Sequence, residues 1–355
     1  MNHLHQGIKW QQEASSISDR LWDVVIVGAG PAGAIAAAHL AASHHRILLL
    51  DRKKFPREKV CGDGLLTDAL RCLDAIGVGE IVRGAGHKIS TSVLVSPSLN
   101  EVEIPGEYLT IKRRLLDMIV AQKAVEMGAV FACGEVKQLA VEPDGRVSFT
   151  IQGSEKQFRA RIGILATGVD IRLLRKLNWS APKKPSGVGL RCYVRSSFAL
   201  DRLVLAAICH NRHKVPGYGW IFPMRDHEYN VGCGMLSADR VRKPTIDLKK
   251  KFKEFIDSYP LARELMQQSD RATALRAAAL RSNFKGVYPF VNGPIVAVGE
   301  TIGTTLPFLG EGIGIAMESG QRASEAVSAA LGSDDLSQLI QYGQYMESKL
   351  KPRYK

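Results

Sequence analysis

Metal-ligand and disulfide spacing are the first things missing from this chain of 355 residues. Its six cysteines (Cys61, Cys72, Cys133, Cys192, Cys209, Cys233) form no Cys-x-x-Cys pair and no metal-binding pattern. They are read as reduced thiols, no metal site is predicted, and a cytoplasmic setting is expected. The histidines are scattered (His87, His210, His213, His227) or lie near the start (His3, His5, His44, His45), and none completes a Ser-His-Asp arrangement. No uninterrupted apolar run is long enough to span a bilayer, and residues 1–20 are polar, without the apolar core of a secretory leader. They are expected to form a mobile N-terminal extension. Acids are also scarce relative to bases. Lys and Arg number 48 against 35 Asp and Glu, a net charge of +13 with a pI near 9.5. Such a balance serves solubility, or attraction to nucleotide phosphates, a phospholipid surface or an acidic protein. The basic residues are dispersed and no nucleic-acid-binding signature accompanies them, so nucleic acid is not expected as a partner.

What is present is concentrated in one segment. Residues 23–33 read Asp-Val-Val-Ile-Val-Gly-Ala-Gly-Pro-Ala-Gly, and Asp51 closes a second apolar run, Ile47–Leu50, eighteen residues on. A strand, a Gly-x-Gly-x-x-Gly turn, a small-residue helix and a strand ending on a carboxylate form the fingerprint of a βαβ unit that grips a dinucleotide. Gly28 permits the tight turn, Gly30 lets backbone approach the phosphates, and Gly33 lets the helix pack close to the sheet. Pro31 and Ala32 open that helix, whose free N–H groups face the pyrophosphate. Asp51, with Arg52 beside it, would accept hydrogen bonds from the adenosine ribose.

Hydrophobic periodicity places helices at about 65–76, 113–127, 246–258, 313–331 and from 336 onward, and strands at 129–134, 136–142, 147–152 and 157–165. Pro143-Asp144-Gly145 marks a hairpin. Short alternating runs over 88–111 and longer ones over 187–236 suggest antiparallel strands of a second sheet. The predicted fold class is α/β, a Rossmann-like dinucleotide domain (21–86, 112–186 and 273–335) with an inserted antiparallel β-sheet substrate domain (87–111 and 187–272). Residues 336–355 are read as a C-terminal helix.

Three further motifs carry a family resemblance. Val60-Cys61-Gly62-Asp63-Gly64-Leu65, preceded by Phe55-Pro56-Arg57-Glu58-Lys59, resembles the cofactor loop of geranylgeranyl-reductase-like flavoproteins, which share the FAD-binding fold of aromatic hydroxylases. Tyr218-Gly219-Trp220-Ile221-Phe222-Pro223 is similar to that family's aromatic motif, and Val298-Gly299-Glu300 with Pro307-Phe308-Leu309-Gly310-Glu311-Gly312-Ile313 is similar to its last glycine-rich segment. The resemblance covers about 21–350. It implies FAD as cofactor, with NADPH or another reductant as electron donor. It also implies backbone contacts from Cys61, Gly62 and Gly64 to the flavin, and a cofactor-directed Arg113 in Arg113-Arg114-Leu115-Leu116-Asp117. Val136 would touch adenine, and Glu300, where most of the superfamily has Asp, would hold the ribityl chain beside Gly299. Thr167 and Gly168 would lie near the cofactor, although many relatives have Ala-Asp-Gly there. The amides of Gly310, Gly312 and Ile313 would face the pyrimidine end of the flavin.

Bland alternatives stand beside these roles: a buried structural thiol at Cys61, a solvated Arg113, and an aromatic core stripe at Tyr218, Trp220 and Phe222. The functional reading makes Cys61, Tyr218, Trp220 and Phe222 a substrate pocket. By resemblance the chain is an FAD-dependent oxidoreductase that reduces C=C bonds of a prenyl or other apolar substrate by hydride from reduced flavin N5. Two alternatives stay open: an FAD monooxygenase of an aromatic or apolar substrate, and a flavoprotein that modifies a client protein, as in quinone-cofactor oxidase maturation. The partners implied are an apolar small molecule or prenyl lipid, or that client, with peripheral contact to the inner face of the membrane compatible with the basic charge. Relatives that take long lipids often carry a further C-terminal domain.

Overall fold

The computed structural model describes residues 10–180, 184–207, 217–236, 247–307 and 310–354. Cys209, His210, His213, Phe308 and Leu309 therefore lie outside the described residues, as do residues 1–9.

Two nine-stranded sheets organise the described residues. In the first, Leu21–Val27 lies between Ile47–Asp51 and Gln157–Leu165, all parallel. Its four consecutive buried residues, Val24 to Val27, suit a strand covered on both faces. Val130–Cys133 and Ile295–Ala297 extend the parallel sheet on the two sides. The hairpin expected around Pro143-Asp144-Gly145 joins Val136–Val141 to Val147–Ile151. Gln11–Glu13 pairs in parallel with Val130–Cys133, and Trp10 packs on Phe131 and Phe55. From Trp10 onward, therefore, the expected mobile extension is instead part of the sheet and its core.

The helix Pro31–Ala42 is buried almost throughout, which its run of alanines allows by presenting no bulky face. It packs on the 21-residue helix Ile313–Ser333. A Cβ on Gly320 would fall 2.1 Å from the Ala32 carbonyl oxygen, so the two helices meet at backbone distance. That contact brings both helix starts to the same side of the first sheet.

The second sheet runs Ser269–Ala272, Gly187–Ser196, Glu228–Leu236, Gly217–Pro223, Leu203–Ala207, His87–Val95, Glu101–Thr110 and Gly64–Leu65. It is antiparallel apart from the pair Leu203–Ala207 with His87–Val95. Arg276–Leu280 also pairs with Gly187–Arg191. Both Gly64–Leu65 and Arg276–Leu280 thus belong to this sheet, although the sequence reading assigned them to the dinucleotide unit. Helices Leu248–Ser258 and Pro260–Gln267 cover its outer face through Phe252, Phe255, Tyr259 and Leu265. The expected C-terminal helix runs without a break from Leu336 to Tyr354, with a pitch that changes along it, and Tyr342, Met346 and Leu350 anchor it in the main core. Among the described residues no helix is long and apolar enough to cross a membrane.

Candidate functional site: a cavity between the two sheets

The dinucleotide turn is built by contact as much as by sequence. Gly28 has φ +108°, and a Cβ there would strike the Ala166 carbonyl oxygen at 2.2 Å, so only glycine fits. Gly33 lies directly over the Gly28 carbonyl oxygen, 1.9 Å from where its Cβ would be, and lets the helix sit down on the turn. Pro31 occupies the first helical position, where its fixed φ suits the helix and its missing N–H costs nothing. Asp51 is buried at the end of its strand. Its carboxylate accepts from the Ala29 and Lys53 amides, both at 3.1 Å, and pairs with Arg57 at 3.1 Å.

A cavity of about 840 Å³ opens at this turn, toward the upper end of the roughly 300–1,000 Å³ usual for ligand sites. Most of the residues proposed from sequence meet around it. Gly28, Gly30, Pro31, Ala32, Asp51 and Arg52 line it together with Val136, Thr167 and Gly168. Cys61, Gly62, Arg113, Gly299 and Glu300 line it as well, and so do Gly310, Gly312 and Ile313 at the start of the long helix. Tyr218 and Trp220 come from the second sheet.

Three proposed residues do not reach the cavity surface. Gly33 lies beneath the turn. Gly64 lies under Phe222, whose ring would be 3.3 Å from a Cβ there and 3.1 Å from one on Gly62. Phe222 itself packs on these glycines and is not part of the wall. The aromatic stripe is thus divided: Tyr218 and Trp220 face the cavity, and Phe222 holds down the Cys61 loop. Arg113 lines the cavity, as the resemblance implies. It is buried, not solvated, and its guanidinium forms a two-pronged pair with Asp117 at 2.7 and 2.9 Å. Two of its three guanidinium nitrogens are therefore engaged inside its own helix, and the side chain also contacts Cys61. Burial opposes its charge, but Asp117 outweighs this and holds it firmly protonated.

The sequence reading missed the residues that support this site. Arg57 joins Asp51 to Asp117 (2.9 Å) and lines the cavity; the charged run before Cys61 was its only signal. Asp63 is fully buried beneath the Cys61 loop. It accepts from the Tyr193 hydroxyl at 2.5 Å, the Asn230 amide at 2.9 Å and the Arg113 backbone N–H at 3.2 Å. Burial raises its pKa to about 6, against the pull of the Tyr193 hydroxyl and the Arg191 charge. Asn230, also fully buried, accepts from Trp220 Nε1 and donates to the Cys61 carbonyl, both at 2.9 Å. One amide thereby fixes the aromatic wall and the loop facing it. Burial raises the Cys61 thiol above its ordinary range, with Arg113 acting in the opposite direction, and burial likewise raises the Tyr218 hydroxyl. Both groups hold their protons at neutral pH.

The arrangement fits a flavin dinucleotide. A Cβ on Gly30 would meet nothing closer than Arg57 Nη2 at 3.9 Å, so the helix start opens on a bare cradle for a pyrophosphate. The second glycine-flanked helix start, at Gly312, borders the same cavity, as a ligand held at both ends requires.

Comparisons with known proteins agree. The lycopene cyclase protein family matches residues 23–348. The menaquinone reductase of Mycobacterium tuberculosis is 32% identical over 334 residues, covering 89% of this chain and 78% of its own. Digeranylgeranylglycerophospholipid reductase 1 of Methanopyrus kandleri is 28% identical over 323 residues, covering 89% and 83%. Among solved structures, a geranylgeranyl bacteriochlorophyll reductase-like protein from Thermoplasma acidophilum superposes with a TM-score of 0.81 at 20% identity, covering 95% of this chain and 86% of its own. A flavin-dependent brominase shares the fold with a TM-score of 0.79 at 20% identity, covering 94% and 86%. By its family match and its cavity alike, the chain belongs to the lycopene cyclase protein family and is a geranylgeranyl-reductase-like, FAD-dependent oxidoreductase.

Proposed function

We propose that this oxidoreductase hydrogenates a carbon–carbon double bond of an apolar lipid, either a polyprenyl chain or the side chain of a prenylated quinone. The observation that carries the reading is the wall contributed by the second sheet. Gly189, Gly234, Ala277, Ala278, Ala279 and Leu280 line the cavity beside Tyr218 and Trp220, with no charged side chain among them. Small residues leave room for a long substrate, and the aromatic rings give it flat apolar contact. The names of the relatives point the same way: one is a menaquinone reductase and another a digeranylgeranylglycerophospholipid reductase.

FAD, when bound, supplies the hydride for one alkene carbon, with NADPH or another reductant restoring it. The chain's own residues do the rest. Gly30 to Ala32 and Asp51 bind the dinucleotide end, and Gly310 to Ile313 receive the other. Trp220, fixed by Asn230, orients the alkene and excludes water. The Tyr218 hydroxyl and Cys61 thiol, both protonated at neutral pH, hold the proton that the second carbon takes up. The net positive charge favours contact with an anionic membrane surface, where such a lipid resides.

Anaerobic rapid mixing tests the reading. Reduced protein should be reoxidised without air by a polyprenyl lipid, or by menaquinone with loss of a side-chain double bond, and Trp220→Ala should slow that step about tenfold or more while FAD stays bound. Reoxidation only by oxygen, or equal rates in the variant, would count against it.

A further inference from the structure

On the cavity-facing side of the strand Gly187–Ser196, alternate residues change character along the chain. Gly189 borders the large cavity, Arg191 is buried, and Tyr193 and Arg195 border a second cavity of about 340 Å³. Four cationic residues line this second cavity, Lys112, Arg195, Arg225 and Arg271, against two acids, Asp226 and Glu228. One acid is already engaged, since Glu228 pairs with Lys112 at 2.5 Å. Arg225 donates to the Gly84 carbonyl. Arg195 and Arg271 stand directly opposite one another in an antiparallel pair, and neither side chain has an ion pair or hydrogen bond among the described residues.

Like charges opposed across two strands repel, and Glu228, which stands opposite Arg195 on its other neighbouring strand, is taken up by Lys112. Here the register slips between Arg195 and Ser196, a bulge of the kind that re-aims side chains at binding sites. The floor is firm: the Tyr193 ring is contacted by Arg191 (3.9 Å) and Lys112 (4.6 Å), and its hydroxyl is fixed on Asp63. Opposed guanidinium forks over a fixed floor match an oxyanion with several acceptor oxygens.

We propose that this second cavity binds a phosphate-bearing ligand, a phosphate monoester or diphosphate, clamped between Arg195 and Arg271. The inference rests on this cavity alone and does not depend on the lipid reading of the first one.

Calorimetry on the full chain with FAD bound tests it, because the dinucleotide turn is then occupied. The probes are inorganic diphosphate and octyl phosphate, with octyl glucoside as an uncharged control. Saturable binding of either anion that weakens with salt is expected. Arg271→Gln should reduce it about tenfold, whereas Lys253→Gln, an exposed cation elsewhere, should not. Unliganded Arg271→Gln should melt no lower than the parent protein, since a repulsion is removed. Octyl phosphate binding more tightly than inorganic diphosphate would assign a lipid phosphate, and the reverse would assign a free anion. No saturable binding to the parent protein, or binding that Arg271→Gln leaves intact, overturns the proposal.

Discussion

A side chain at Gly30 would meet nothing of the protein closer than Arg57 Nη2, 3.9 Å away, whereas one at Gly28 would strike the Ala166 carbonyl oxygen at 2.2 Å. Gly30→Ala is therefore expected to fold with a melting temperature near that of the apo parent and to lose flavin absorbance, because the added methyl occupies the phosphate cradle. Unchanged flavin content would refute that placement. Asn230 calls for a different measurement. Its amide satisfies Trp220, Cys61 and Asp63 at once, so Asn230→Ala should cost about 2–4 kcal/mol in urea unfolding. Asp63 adds a pH dependence. Its carboxyl titrates near 3.8 when exposed and about 6 when folded, so the folded chain keeps a proton that the unfolded chain has lost. This group's contribution to stability must fall as pH rises from about 4 through 6, by about 1–3 kcal/mol. Asp63→Asn should flatten that slope between pH 4 and 8, and a slope unchanged in the variant would contradict the assignment.

Among the elements, the pair formed by helices Pro31–Ala42 and Ile313–Ser333 carries the geometry of the site. Gly320→Ala would drive a methyl to 2.1 Å from the Ala32 carbonyl oxygen, so the helices must part. About 2 kcal/mol or more of stability should be lost, together with flavin affinity, because both glycine-rich starts shift. Equilibrium unfolding and flavin titration of one variant check both effects. These two helices were legible in the sequence because their signals are local: glycines, proline and small residues at fixed spacing. The strand Arg276–Leu280 was not. Its three alanines carry no strand preference, and only pairing with Gly187–Arg191, some ninety residues away, makes them the apolar wall. The short helices Gly79–Ala85 and Pro260–Gln267 escaped for a related reason: each is too short for periodicity to mark.

At the scale of the whole molecule, the parallel sheet supplies the glycine-turn end of the cavity and the second sheet supplies its apolar wall, proposed above to face the substrate. Residues that announce themselves by motif, such as Gly28, Asp51, Cys61 and Gly312, were legible. Arg57, Asp63, Asn230 and Arg191 were not, because each acquires its role only when residues distant in the sequence are folded together. The central claim is that this closure puts an apolar alkene against reduced flavin. The most direct measurement is the mass of the product formed when anaerobically reduced protein is mixed with menaquinone. A gain of two hydrogens that survives exposure to air, and so lies in the side chain rather than the quinone ring, is the predicted result. Reaction only in the presence of oxygen, with a product heavier by one oxygen atom, would contradict it.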